Sequence, residues 1–171
     1  MTRSTLEDRL SILNSKGAGS APEIDFKGDA AAFVQLIQSE IDGEVALLAA
    51  EAQETVNQFW ELIKDQRSST ENKDDKTFLG VRVRLVKGTL SIEWFRNVIL
   101  FDANKKTKGV ISNRLKKGLS SSYPKSSFAS EPEWLRPVIA SCEEKFTAIR
   151  ERAAILTQMK RELRKYEKLL R

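Results

Sequence analysis

The chain has 171 residues, with 29 lysines and arginines, 24 aspartates and glutamates, and no histidine. The absence of histidine excludes Ser-His-Asp and Cys-His catalysis and the usual zinc clusters, and a single cysteine, Cys142, excludes an intrachain disulfide. The sequence has no apolar run of about 18 residues that could span a membrane, and acidic residues interrupt the stretch where a signal peptide needs an apolar core. We therefore expect a cytoplasmic protein that makes no membrane contact.

The sequence also lacks the usual signs of an enzyme. Its eight glycines are scattered and form no phosphate-binding loop. Its acidic residues do not gather as a carboxylate metal site requires. We predict no catalytic residue, no metal and no cofactor.

Charge is divided sharply along the chain. Residues 1–75 carry 7 basic and 15 acidic side chains, residues 76–125 carry 12 and 2, and residues 126–171 carry 10 and 7. Such a division predicts an electrostatic contact surface in the central third.

The first 28 residues are predicted to be a flexible segment, and residues 29–171 a single domain. Leu6, Leu10 and Leu13 suggest a short amphipathic piece that ends at Asn14, and the linker SKGAGSAP follows.

A long helix is predicted over residues 30–67, with Asp29 as its N-cap. Gly43 marks a weak point in this helix or a close approach by another. SSTENKDDK then forms a polar connection. Steps of three and four residues place one apolar stripe on the helix, formed by Phe33, Ile37, Ile41, Val45, Leu48, Ala52, Val56, Phe59 and Ile63.

The next segment alternates with period two, which is typical of strands. A two-residue turn at Lys87-Gly88 gives a hairpin register with the pairs Val81–Trp94, Val83–Ile92, Leu85–Leu90, Val86–Thr89, Arg82–Glu93 and Arg84–Ser91. Beyond Arg96 the sequence NVILF is apolar at both parities, so the strand either bulges or is buried on both sides. Residues 109–112 could supply a third strand, because a two-stranded hairpin is marginal alone.

Residues 130–133, with the sequence SEPE, match a capping box and predict a second long helix to about Leu170. One apolar series recurs every seven residues along this helix, at Leu135, Cys142, Ile149, Leu156, Leu163 and Leu170. A second apolar series beside it shifts by one place. This break in the strict seven-residue repeat favours antiparallel packing against the first helix. The predicted fold class is α+β: two long helices packed as an antiparallel coiled-coil-like hairpin, with a central two- or three-stranded antiparallel β-sheet.

The strongest functional signal is the basic segment 102–128, where lysines cluster beside small polar residues with one acid, Asp102. This composition suits phosphate binding, although a solvated basic loop that balances the acidic first helix is the alternative. Arg82 and Arg84 on the hairpin could read base edges or be an ordinary surface pair with Glu93. The predicted nucleic-acid-binding residues are Arg82, Arg84, Lys87, Arg96, Lys105, Lys106, Lys108, Arg114, Lys116, Lys117 and Lys125.

Aromatic residues in this region are interpreted mainly as structural. Trp94 and Trp134 are more often core residues than stacking platforms for bases. Tyr123 has the hydroxyl needed for DNA strand cleavage, but the sequence around it supplies no base or metal site.

The motifs SIEWFRNVI, KKTKG, KKGLSSSYP and EPEW, followed by a closing helix, resemble the MobI proteins over roughly residues 78–170. The MobI proteins are auxiliary mobilisation factors of integrative conjugative elements and related plasmids. The resemblance implies that this chain recognises double-stranded DNA at the origin of transfer and helps a relaxase assemble into the relaxosome there.

Three hypotheses follow. In the first, a DNA-binding accessory factor of conjugative transfer grips DNA through its basic centre, and its helices recruit a relaxase or another transfer protein, or form a homodimer. The second is an RNA-binding regulator, since basic loops beside aromatic strands suit RNA as well. The third is a protein-binding coiled-coil adaptor without nucleic-acid contact.

Overall fold

A computed structural model describes residues 4–14, 24–69, 76–101, 103 and 107–171. Within it the chain forms two compact units, one of residues 1–43 and 158–171 and the other of residues 44–157. The predicted linker SKGAGSAP and most of the polar connection SSTENKDDK lie outside the described residues. The elements are α1 (Leu6–Asn14), α2 (Phe26–Ser69), β1 (Leu79–Val86), β2 (Thr89–Phe101), β3 (Thr107–Arg114), a 3-10 helix (Lys125–Phe128) and α3 (Leu135–Leu169).

Helix α2 begins earlier than the sequence predicted, and Asp29 is not its N-cap. Asp25 precedes the helix, and its Oδ1 accepts a 2.9 Å hydrogen bond from the backbone N–H of Gly28, which is the geometry of an N-cap. Asp29 instead accepts hydrogen bonds from Ser4 and forms a 3.0 Å ion pair with Arg9. It therefore ties α1 to α2 within the first unit.

The predicted apolar stripe of α2 is confirmed. Phe33 and Ile37 are partly buried, and every later member of the stripe from Ile41 to Ile63 is buried. Gly43 is exposed, and a Cβ built on it would meet nothing within 4 Å. The predicted close helix approach at Gly43 is therefore wrong.

The three strands form one antiparallel sheet in the order β1-β2-β3. All six predicted hairpin pairs are present. Lys87 and Gly88 both have positive φ, at 51° and 72°, so they form a two-residue turn whose twist matches the sheet. This turn fixes the register, because a shift by one residue would turn the apolar face of the hairpin to solvent.

The predicted third strand is also confirmed, since β3 pairs with β2 from Phe95↔Arg114 to Phe101↔Thr107. The register shifts where Leu100 pairs with Gly109 and Phe101 with Thr107, so the extra residue is Lys108 of β3 and not, as the sequence predicted, a residue of β2. The alternative, burial on both sides, does not hold because Leu100 and Phe101 are exposed.

Helix α3 begins at Leu135, two residues after the end of the predicted capping box. Ser130 is therefore not the N-cap, and Glu133, the glutamate of the predicted box, is exposed. The neighbouring Glu131 is buried, and its carboxylate accepts hydrogen bonds from Thr77 Oγ1 at 2.6 Å and from Arg96 Nη2 at 2.5 Å. The pattern predicted a helix start close to the observed one, but the wrong capping residue.

Core residues come from α2, the sheet and the first half of α3. The seven-residue series is buried at Leu135, Cys142 and Ile149 and only partly buried from Leu156 onward. Trp94 lies at the centre of this core, with its ring 5.2 Å from that of Phe59. The α+β class with two long helices and a three-stranded antiparallel sheet is confirmed, and coiled-coil-like packing of the helices stays a prediction.

Within the part of the chain that the structure describes, no helix has both the length and the apolar character needed to cross a bilayer.

Candidate nucleic-acid interface

One face of the sheet packs on the core, and the opposite face, here called the outer face, carries the arginines. Because side chains alternate along a strand, Arg82 and Arg84 of β1 share this face with Glu93 of β2 and Arg114 of β3. Glu93 is the one acidic residue in the sequences of the three strands. These four residues are here called the arginine cluster.

The carboxylate of Glu93 holds the cluster together. It lies 2.9 Å from Arg82 Nη2, 3.3 Å from Arg114 Nη1 and 4.0 Å from Arg84 Nη1. Ser91 Oγ donates a further hydrogen bond of 3.1 Å. Only 6% of Glu93 is exposed, and its ion pair with Arg82 is the pair that the alternative interpretation of the hairpin expected.

Burial alone would raise the pKa of Glu93. Hydrogen bonds from Arg82 and Ser91, together with the positive charges of Arg114 and Arg82, outweigh burial and lower this pKa below its usual value of 4.5. Glu93 is therefore ionised at neutral pH. Three guanidinium groups around one carboxylate leave the cluster with a positive excess.

Aromatic side chains form a floor beneath Arg82. Its guanidinium carbon lies 5.1 Å from the centroid of the Phe95 ring, a cation–π distance. The Phe95 ring in turn lies 6.5 Å from that of Trp60, whose indole N–H donates a 3.1 Å hydrogen bond to the carbonyl of Val81. Sequence analysis missed this role of Trp60, because α2 and β1 meet only in the folded chain.

A buried ion pair anchors the basic loop, residues 115–124, that follows β3. Glu143 and Arg150 of α3 are paired at 3.0 Å. Glu143 accepts hydrogen bonds from the indole N–H of Trp94 at 2.7 Å and the backbone N–H of Tyr123 at 2.9 Å. Arg150 donates to the carbonyl of Ser121 at 2.9 Å.

Sequence analysis missed this pair too. The signal was present, because Glu143 and Arg150 are seven residues apart and each follows a member of the buried series, Cys142 and Ile149. That spacing places both side chains at the border of the same buried stripe.

The predicted lysines of the basic loop and of the 3-10 helix after it have different environments. Lys116 and Lys125 are exposed. Lys117 is partly buried and donates a hydrogen bond to the carbonyl of Ser120. Burial lowers the pKa of Lys117 from its usual value of 10.5, and the positive charges of Arg150 and Arg114 lower this pKa further. The negative charge of Glu143 raises it but does not outweigh these effects.

The remaining predicted residues are scattered. Lys87 is exposed in the hairpin turn, and Lys108 is exposed on β3 as the extra residue at the register shift. Arg96 is of core-face parity and is bound to Glu131, so the structure does not bring it into the arginine cluster. Lys105 and Lys106 lie outside the described residues.

The surroundings of Tyr123 do not suit DNA strand cleavage. This tyrosine is 5% exposed, so its hydroxyl does not face solvent. Burial also raises the pKa of the Cys142 thiol above its usual 9.0. Among the described residues, no group of three or more cysteines, aspartates and glutamates could hold a metal ion.

The sequence model of the family described as MobI protein matches residues 48–164, more than half of the chain. The chain belongs to the MobI family. Membership in this family indicates a role in conjugative mobilisation. No curated protein and no solved structure matches the chain.

The MobI match takes in the last part of α2, the whole sheet, the basic loop and most of α3. It begins earlier than the resemblance at residue 78, so the buried stripe of α2 from Leu48 belongs to the family region. All eleven predicted nucleic-acid-binding residues lie inside the match. The arginine cluster and its floor at Trp60 are thus part of the MobI region of this chain.

Proposed function

We propose that this MobI-family chain is a DNA-binding accessory factor of conjugative transfer, which binds duplex DNA at the origin of transfer and helps a relaxase assemble there. The observation that carries the proposal is the arginine cluster. It gathers Arg82, Arg84 and Arg114 on one face of the sheet around a single buried carboxylate. Membership in the MobI family supports the link to conjugative transfer.

The geometry of the cluster suits DNA for a physical reason. A guanidinium is planar and presents its donors in a fixed fork, which matches both phosphate oxygens and the O6 and N7 edge of guanine. Glu93 and the Phe95 ring limit the rotamers of Arg82, so less side-chain entropy is lost when DNA binds. Arg84 and Arg114 keep more than half of their side-chain surface exposed for the ligand.

The basic loop supplies a second group of cations in this proposal. Its backbone is fixed by the bonds from Glu143 to Tyr123 and from Arg150 to Ser121. Lys116 and Lys125 are exposed on this loop and its 3-10 helix, and they would contact phosphates without reading sequence. Lys105 and Lys106 remain predicted phosphate contacts.

The proposal includes no enzymatic step, and the chain would act in the cytoplasm beside the relaxase that cuts the DNA. Support comes from the absence of histidine in the whole sequence and from the burial of Tyr123. The long helices would provide the surfaces that recruit the relaxase or a second copy of the chain.

Equilibrium binding across a salt series tests the proposal. The probes are a duplex carrying the transfer origin of the element that encodes the chain, a random duplex of equal length, the matching single strand and an RNA duplex. We expect the origin duplex to bind most tightly, with the logarithm of affinity falling by about 0.9 per phosphate contact for each logarithmic unit of salt. Equal or tighter binding of RNA would favour the RNA-regulator hypothesis.

A charge-matched pair of variants locates the contact. The test variant exchanges the exposed Arg84, Lys108 and Arg114 for glutamine. The control exchanges three exposed cations of α3, Arg161, Arg164 and Lys168, for glutamine, so the change in net charge is equal. The test variant should lose at least tenfold in DNA affinity, since three contacts of about 1 kcal/mol are removed. Equal losses in both variants would mean that net charge, not the sheet, governs binding.

A further inference from the structure

The end of the sheet extends as a two-stranded ribbon. Strand β1 pairs with β2 only up to Arg96, whereas β3 continues with β2 as far as the pair Phe101↔Thr107. The backbone N–H of Asn97 still donates a 2.9 Å hydrogen bond to the carbonyl of Phe78. Residues 98–101 and 107–111, here called the ribbon, pair only with each other in the described chain. With a rise of about 3.4 Å per residue, four residues of β2 extend roughly 14 Å beyond the three-stranded part.

Apolar side chains are exposed on both faces of the ribbon. Val98 and Leu100 are exposed on one face together with Ile111, the partner of Val98 across the strands. Val110 is exposed on the other face. Exposed apolar side chains gathered in this way mark a contact surface. Apolar surface is thus available for contact on both faces of the ribbon.

Phe101 is the most prominent of these residues. Its side chain is 61% exposed, and it follows the register shift after Leu100. The extra residue at this shift is Lys108 of β3, so Phe101 keeps the alternation of β2 and has the same parity as Glu93 and Phe95 on the outer face. Its ring is exposed to solvent.

Charge identifies the partner. From residue 98 to residue 111 the sequence holds three lysines, Lys105, Lys106 and Lys108, and one acid, Asp102. An apolar surface with an excess of cations complements a polyanion that also has apolar contact sites. Duplex DNA fits this description through its phosphates, base stacks and thymine methyl groups.

We infer that the ribbon enters a groove of duplex DNA and inserts Phe101 between neighbouring base pairs, so that binding bends the duplex. The inference rests on the proposed DNA binding and adds a mode of contact to it. Strands and two-stranded ribbons of DNA-binding proteins enter the major or the minor groove. Apolar wedges such as phenylalanine unstack a base step and kink the duplex. Lys108 would then contact phosphates at the groove edge.

Ligase-driven circularisation of a short duplex tests the inference. A duplex below the persistence length of about 150 base pairs closes rarely unless a bound protein bends it, wherever the protein lies. The full-length protein should increase circle formation. The variant Phe101→Ala should bring it back to the level without protein and weaken DNA binding about tenfold, the expected loss of one stacking contact.

Two matched variants complete the design. Phe26→Ala removes another exposed phenylalanine, 67% exposed at the start of α2, and should leave bending and affinity unchanged. Phe101→Leu keeps an apolar wedge and should retain most of the bending. Thermal unfolding of each variant checks that the fold is intact.

The outcomes separate the two proposals. If the wild-type protein binds no DNA, both fail. If it binds but Phe101→Ala bends the duplex equally well, only the ribbon contact is wrong. If Phe101→Ala still bent the duplex but no longer bound the relaxase, the ribbon would be a protein-binding surface and the inference would be overturned.

Discussion

Arg150 and Glu143 form an ion pair in which both side chains are about nine-tenths buried, with Nη2 of the arginine 3.0 Å from Oε1 of the glutamate. Each of these side chains also forms a hydrogen bond with a group outside α3, the helix that carries both residues. Glu143 accepts the indole N–H of Trp94, and Arg150 donates to the carbonyl of Ser121. One pair therefore joins α3, the central strand and the basic loop.

We predict that Glu143→Gln lowers the free energy of unfolding by about 3 kcal/mol, because it leaves the charge of Arg150 buried without a counter-ion. Denaturant unfolding measures the effect. The control is Glu144→Gln, an exposed position on the next residue, where a change below about 0.5 kcal/mol is expected. Equal stability of both variants would show that the buried pair contributes nothing to folding.

A second prediction concerns Glu93 and pH. The pKa of this carboxyl is lowered in the folded chain, so its ionisation stabilises the fold above the usual value of 4.5, and that contribution is lost as pH falls through the folded pKa. Glu93→Gln should cost about 2 kcal/mol at pH 7, the scale of charge-assisted hydrogen bonds. The difference from wild type should shrink in acid.

Unfolding measured from pH 7 down to pH 3 checks this sign. The exposed Glu133 gives the matched control, since Glu133→Gln should differ little from wild type at any pH. A deficit for Glu93→Gln that grows as pH falls would contradict the lowered pKa.

Local patterns predicted the hairpin well for a physical reason. A two-residue turn at Lys87-Gly88 leaves one register that keeps Val81, Val83 and Trp94 on the same face, and the structure has that register. The pairing of Arg82 with Glu93 followed from it. Arg114 could not be placed in the same cluster, because its position depends on the β2–β3 register, which includes the bulge after Leu100.

Carboxylates were harder to assign than apolar residues. The local sequence of Glu131 does not indicate a buried partner. Glu131 in fact binds Arg96, 35 residues away in sequence, and Thr77. The same limit applies to Asp29, whose partners Ser4 and Arg9 lie before and within another helix, α1. Long-range partners of charged groups are set by tertiary packing, which the local pattern does not contain.

Gly80 gives a third prediction, on packing of the aromatic floor. A Cβ at this position would lie 2.5 Å from Phe95 Cζ and 2.9 Å from Trp60 Cη2. Gly80→Ala should therefore lower the free energy of unfolding by about 2 kcal/mol through overpacking. Gly109 is the matched sheet glycine, with nothing within 4 Å of its Cβ position. Gly109→Ala should be neutral, and denaturant unfolding of both variants makes the comparison.

The last prediction separates two arginines that the sequence had grouped together. Arg84 is exposed at the edge of the arginine cluster, whereas Arg96 is bound to the buried Glu131 at 2.5 Å. Arg84→Gln should keep the stability of the protein but reduce the salt dependence of DNA binding by about one contact. Arg96→Gln should destabilise the fold by about 2 kcal/mol, since it leaves a buried carboxylate without its cation.

Thermal unfolding and a salt series on each variant measure both properties independently. The two variants carry the same change in net charge, so any difference between them reflects where the arginine lies. If Arg96→Gln lowered the salt dependence as much as Arg84→Gln while the fold stayed equally stable, Arg96 would belong to the DNA contact and its bond to Glu131 would be incidental. The opposite result would restrict the contact to the outer face of the sheet.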